Sequence, residues 1–298
     1  MGADRMRRVE LSACFVLTFF CGLAPASNSL FAASPYEATS SRSARDEAIR
    51  SIPFDQLTPT TASRLSSVVK KPSIYRRMPL QVINSDPDMY LFLVRYPEVV
   101  VNIWRVMGIT QCTTKRTGPF SLVGSDGLGT NCKVEMVYGT SDMHIIYAEG
   151  TYQGGLIKRK VKGRCVIVLR SGFSRDNDER TLVTNRLDMF LQIDNIGLDI
   201  LAKTLNPLVI KTADYNFVQS AQFLGRISDL SETNGPGVQR LSTKLTEVDP
   251  TVSARFSDLA GIVYQRAALR GGTNLGYAPA QRGLAQESAV RRASNDAE

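Results

Sequence analysis

One histidine, His144, lies in the stretch GTSDMHIIYAEG at positions 139–150. A lone histidine rules out a His-based metal cluster and leaves any Ser–His–Asp relay dependent on that residue. Ser141 and Asp142 are close to it, but Met143 stands where a nucleophile elbow would need glycine. The spacing predicts a histidine at the start of a strand, with no relay around it. The other foothold for chemistry is a pair of carboxylates, Glu149 in MHIIYAEGTY and Asp188 in NRLDMFLQID. General acid–base work would need burial or a like-charged neighbour to move their pKa values. In strands the commoner outcome is an outward carboxylate paired across the sheet with Arg or Lys. The glycine-rich GSDGLG at 124–129 lacks the Gly-Lys-Ser/Thr ending of a phosphate loop and reads as a hairpin turn. GGLIKRKVKGR gathers Lys158, Arg159, Lys160, Lys162 and Arg164 around another hairpin, beside Leu156 and Ile157. An anionic membrane surface would attract such a patch by about 1 kcal/mol per charge. The preferred reading is a solvated hairpin whose charges guard a sheet edge. No catalytic residue, cofactor or metal ligand set is predicted.

The chain begins with Arg5, Arg7 and Arg8, an apolar run from Leu11 to Leu23, and the small residues Ala24-Pro25-Ala26. This is the pattern of a cleaved secretory signal over residues 1–26, with Ala32-Ala33 as a later cleavage point. The run is shorter than the roughly 20 apolar residues that a bilayer span needs. Cys21 invites a lipoprotein reading, which Phe19 and Phe20 oppose because small residues belong there. No later segment is apolar enough to cross a membrane, so the expected mature protein is soluble and secreted or periplasmic. The net charge of +8 and pI near 9.3 favour anionic surfaces. Export makes lipid headgroups or envelope polymers likelier partners than nucleic acid. Cys112, Cys132 and Cys165 remain after cleavage, an odd number in strand-like runs, which suits small buried hydrophobes better than a disulfide scaffold.

These residues need elements to hold them. Residues 27–72 read as a disordered leader followed by short accessory helices near Ala44 to Ile49 and after Thr58-Pro59. SIYRRMPLQVIN is extended, and DPDMYLFLVRYPEVVVNIWRVM divides into two helices. Asp86 caps the first and Pro97 forces the break, and their apolar surfaces on most sides place them between the core and another layer. From Gly108 to Asp194 six strands alternate with turn residues. Cys132, Val134, Met136 and Tyr138 share one face of their strand, as do Leu187, Met189, Leu191 and Ile193 of another. That alternation predicts antiparallel strands with one buried face. Between Gly197 and Glu232, Leu198, Leu201, Leu205, Val209, Ala213, Phe217, Ala221, Leu224, Ile227 and Leu230 form one helical stripe able to cover that face. Pro207 would bend this helix or, with Asn206 as cap, start a new one. A further helix begins after Asp249, within residues 232–270, and residues 271–298 have the composition of a mobile tail.

The order strand, two helices, six strands, long helix over residues 73–231 resembles the helix-grip arrangement of the START-like superfamily. The resemblance implies an α+β fold in which a curved antiparallel sheet grips the C-terminal helix around a cavity that often holds an apolar molecule. It carries over no catalytic residue. Met136, Tyr138, Met189, Leu191, Val209, Ala213 and Phe217 are the candidate lining of that cavity. The leading expectation is an exported, non-enzymatic binder of a lipid-like molecule. A structural or protein-interaction protein of the cell envelope with a solid core is the alternative, and a carboxylate enzyme the third.

Overall fold

Local signals start most of the helices. Thr58 accepts the amide hydrogen of Thr61 ahead of α2 (Pro59–Val69), just after α1 (Arg42–Arg50). Asp86 accepts those of Asp88 and Met89 at the head of α3 (Pro87–Arg95), and Pro97 separates it from α4 (Pro97–Val106). In this computed structural model, residues 37–154, 159–176, 180–194 and 206–270 are described.

The strands are β1 (Ile74–Arg77), β2 (Gln81–Asn84), β3 (Thr113–Gly118), β4 (Ser121–Ser125), β5 (Thr130–Gly139), β6 (Met143–Tyr152), β7 (Val161–Arg175) and β8 (Thr181–Ile193). They form one open, curved, antiparallel sheet in the order β1-β8-β7-β6-β5-β4-β3, with β2 also paired to β8. The predicted six strands after the helix pair are all present. GSDGLG forms the β4–β5 turn, where Gly127 and Gly129 adopt positive φ and Asp126 accepts the amide hydrogens of Leu128 and Thr130.

Long helix α5 (Asn206–Ser242) lies on the concave face, and α6 (Pro250–Arg270) folds back along it. The α+β class and the sheet covered by a long C-terminal helix are therefore as expected. The described part of α5 begins at Asn206-Pro207, and the residues preceding that proline, which would decide between a bend and a new start, lie outside the described residues. Leu198, Leu201 and Leu205 lie outside the described residues. Val209, Ala213, Phe217, Ala221, Leu224 and Ile227 are buried as the stripe predicts, but Leu230 is exposed. At 100° per residue it stands about 120° from Leu224, and the stripe runs on through the buried Ser231 instead. The helix also continues beyond Glu232. It breaks at Asn234, whose φ of −146° is not helical and whose side chain accepts from the Gly237 amide, capping a short second segment. Gly235 sits against α6 there: a Cβ at that position would lie 2.5 Å from Cβ of Tyr264. Asp249 caps α6 through Thr251, as its position predicts.

The sheet is not one-sided. On its convex face Ala44, Ala48, Leu65, Val68 and Val69 of α1 and α2 pack against Tyr75, Ile145, Tyr147, Val166, Val168 and Phe190. Strand β7 is apolar on both faces through CVIVL, the mark of a strand covered twice. The supposed accessory helices are thus a second layer.

Candidate functional site

Helices α3 and α4 stand beside α5 over the concave face, and between them is an apolar cavity of about 90 Å³. Phe217, Ala221 and Leu224 wall it on the α5 side, Trp104, Val100 and Val101 on the α4 side, and Leu122, Val134, Ile146 and Ile167 on the sheet. Tyr90 and Asn185 are its main polar members. The Tyr90 hydroxyl donates to Asn185 Oδ1 and lies 2.6 Å from Ser171 Oγ, so the pair is internally satisfied. Burial pushes the Tyr90 hydroxyl up to about 12, which keeps it a neutral donor.

A groove of about 460 Å³ adjoins the cavity on the outside. Val94, Pro97, Leu122, Val134 and Ile146 border both spaces. The groove's rim carries Arg95, Tyr96, Arg116 and Phe120, and Phe120 is two-thirds exposed at 67%. Arg116 is tied down by both oxygens of the buried Glu98, at 2.5 and 2.9 Å, and stacks on Tyr96.

The predicted lining divides. Phe217 borders the cavity and Met136 the groove. Met189, Val209 and Ala213 are buried in the concave core next to it, and Leu191 borders a separate cavity of about 60 Å³ in that core. Tyr138 also borders the groove, although β5 and β6 slip in register between Met136 and Tyr138, a bulge that lets Tyr138 pack against the convex layer as well. Its hydroxyl donates to Gln56 Oε1 at 2.8 Å. The α3 and α4 side chains were not among the predicted lining. Their signal was present in the apolar character of both helices on most sides.

His144 is fully buried and its Nε2 accepts from Arg95 Nε at 3.3 Å. It bonds to neither Ser141 nor Asp142 among the described residues, so no relay forms. Burial, reinforced by the Arg95 charge, lowers its pKa from 6.5 to about 4. Between those values only the unfolded chain takes up the proton, so stability falls as pH drops from 6.5 toward 4. The expected loss is about 2 kcal/mol by about pH 4.5. Chemical denaturation of wild type and His144→Gln across this window checks it: the variant's profile should be flatter, and equal slopes would contradict the assignment.

Asp188 is paired across the sheet with arginines as expected, opposite Arg77 in register, but it is not solvent-facing: α1 packs over that face and leaves it 0% exposed. It accepts from Tyr75 Oη at 2.6 Å, Arg77 Nε at 2.8 Å and Arg170 Nη2 at 2.8 Å. Burial and then the Asp188 charge raise the Tyr75 pKa. Glu149 is exposed between Lys133 and Arg164 in register, in an open hollow shared with Glu247, which Arg105 holds. No carboxylate lines the apolar cavity. Of the basic patch, Arg159, Lys160 and Lys162 are exposed, Arg164 pairs with Asp194 at 2.7 Å, and Lys158 lies outside the described residues.

Cys112, Cys132 and Cys165 form no disulfide among the described residues, and burial pushes the thiols of the latter two up to about 12. Among the described residues no cluster could hold a metal ion, and no helix is long and apolar enough to cross a membrane.

No family model and no curated protein matches the chain. Solved structures similar to part of it include a conserved protein from Geobacillus kaustophilus, at 14% identity and a TM-score of 0.27, covering 47% of this chain and 93% of that one. An uncharacterized protein from Rhizobium leguminosarum aligns at 10% identity and the same TM-score of 0.27, over 49% of this chain and 99% of its own.

Proposed function

We propose that this chain is an exported, non-catalytic binder of an apolar or amphipathic small molecule, seated between the sheet and the long helix. The observation that carries the reading is the apolar cavity against Phe217 with an open groove beside it. Alone, the cavity is below the roughly 300–1,000 Å³ of small-molecule sites. The adjoining groove, at about 460 Å³, is within that range, so the ligand spans both spaces with its apolar end inside. Leu122 and Val94 turn aside to admit it. Membership of the START-like superfamily belongs to the same proposal, supported by the element order from β1 to α5. The exposed Arg159, Lys160 and Lys162 support contact with an anionic membrane surface.

The burial of Met189, Val209 and Ala213 away from the cavity favours one alternative, an envelope interaction protein with a solid core. Trp104, the chain's single tryptophan, borders the cavity and separates the two. On addition of neutral decanol its emission should change saturably, and Ala221→Leu, which fills the cavity, should abolish the change while still melting cooperatively. No saturable change in the wild type would sink the ligand-binding reading. Export has its own check. Protein recovered from an exporting host should begin at Ser27 or Ser34, and an intact Met1 would refute cleavage.

A further inference from the structure

We infer that the ligand is a single-tailed anionic amphiphile, a fatty-acid-like carboxylate or its phosphate counterpart, whose head is held by Arg95. The inference rests on the cavity-and-groove reading above and adds the chemistry of the head.

Charge bookkeeping around the groove singles out Arg95. Arg116, its neighbour on the rim, spends its guanidinium on Glu98 and on the carbonyl of Pro119 at 2.7 Å. Glu98 is buried beneath it, so that pair is electrically closed. Arg95 is different. Its Nε donates to His144 and its Nη2 to the Thr140 carbonyl at 3.1 Å, and both acceptors are neutral. Its Nη1 has no partner, and it forms no ion pair, among the described residues. The low pKa of His144 means that this acceptor stays uncharged at neutral pH. The two bonds fix the side chain on the groove while leaving donors of its planar fork unused, the geometry that grips a carboxylate or phosphate.

The tail is constrained as well. Beyond the shared border of Val94, Leu122 and Ile146 the walls are apolar, and the Tyr90–Asn185 pair satisfies itself. A space of about 90 Å³ admits one slender chain end and not the paired tails of a phospholipid. A cationic head would face Arg95 in a groove whose lining holds no carboxylate: Arg116 occupies Glu98, and Asp142, whose charge acts on His144, accepts from Thr140 Oγ1 outside that lining.

The test compares four probes of equal tail length, decanoate, decyl phosphate, decanol and decyltrimethylammonium, by Trp104 emission below their micelle concentrations. At least one of the two anions should bind roughly tenfold or more tightly than decanol, as a charge-assisted hydrogen bond supplies. The cation should bind more weakly than decanol. Arg95→Gln should bring the anions down to the affinity that decanol shows for the same variant. Preference for decanoate names a carboxylate head and preference for decyl phosphate a phosphate head, and either supports the inference. Equal affinity for decanol and both anions, or anion binding that survives Arg95→Gln, would overturn it while leaving the cavity reading intact. Silence from all four probes would instead overturn the cavity reading, and this inference with it.

Discussion

Replacing Asp188 with alanine is expected to destabilise the protein by about 3–5 kcal/mol, the usual cost of removing one partner from a buried ion pair. Asp188 is the hub that joins β8, β1 and β7 to α1. Three donors converge on it, and Arg77, itself 6% exposed, also donates to the Ala44 carbonyl and to Glu47 on α1. Without the carboxylate, Arg77 and the Tyr75 hydroxyl stay in an apolar layer with donors unmet. Arg77 keeps the Ala44 carbonyl and, as its one charged partner, Glu47, whose side chain is 49% exposed and whose attraction water screens. Asp188→Asn should cost less than Asp188→Ala, because the amide oxygen still accepts. Arg170→Ala should cost least, since Arg170 is partly solvated. Urea melts of the three variants would give this order. A loss under about 1 kcal/mol in Asp188→Ala would mean that the convex layer is held by packing alone.

Phe217→Ala should cost about 3 kcal/mol, the low end for a buried aromatic. Its ring is 4% exposed and packs in the concave core, but one side borders the cavity and has fewer contacts to lose. Gln222→Ala, on the exposed side of the same helix, should change stability by no more than roughly 0.5 kcal/mol. Saturating decanol should widen the gap between Phe217→Ala and wild type, because a ligand that prefers the native wild-type cavity stabilises it by mass action. Equal small losses at Phe217 and Gln222 would mean that α5 is not seated on the sheet.

Features decided within a few residues were legible in the sequence. Asp86, Pro97, Thr58 and Asp249 act on neighbouring amides or on the preceding residue, and the six strands follow from alternation and turns. Features decided by a distant partner were not. The bulge that turns Tyr138 depends on how β5 meets β6, and no residue in CKVEMVY announces it. The burial of Asp188 depends on α1, more than 130 positions earlier in the chain, and alternation alone marked it as solvent-facing. The helical wall opposite Phe217 was missed for a similar reason: α3 and α4 read as apolar on most sides, but the sequence does not say which side meets Phe217. CVIVL in β7 and Asn234-Gly235-Pro236-Gly237 in α5 were signals present in the text, one of a doubly covered strand and one of a helix break.

The central claim is that the cavity beside Phe217 takes the apolar end of a ligand. A crystal structure of the protein grown with saturating decanoate tests it most directly. The account predicts continuous chain density bordered by Phe217, Trp104 and Leu122, with Val94 and Leu122 displaced from the border they now share with the groove. Crystals saturated with decanoate in which those side chains stay in place and the space holds no chain would contradict it.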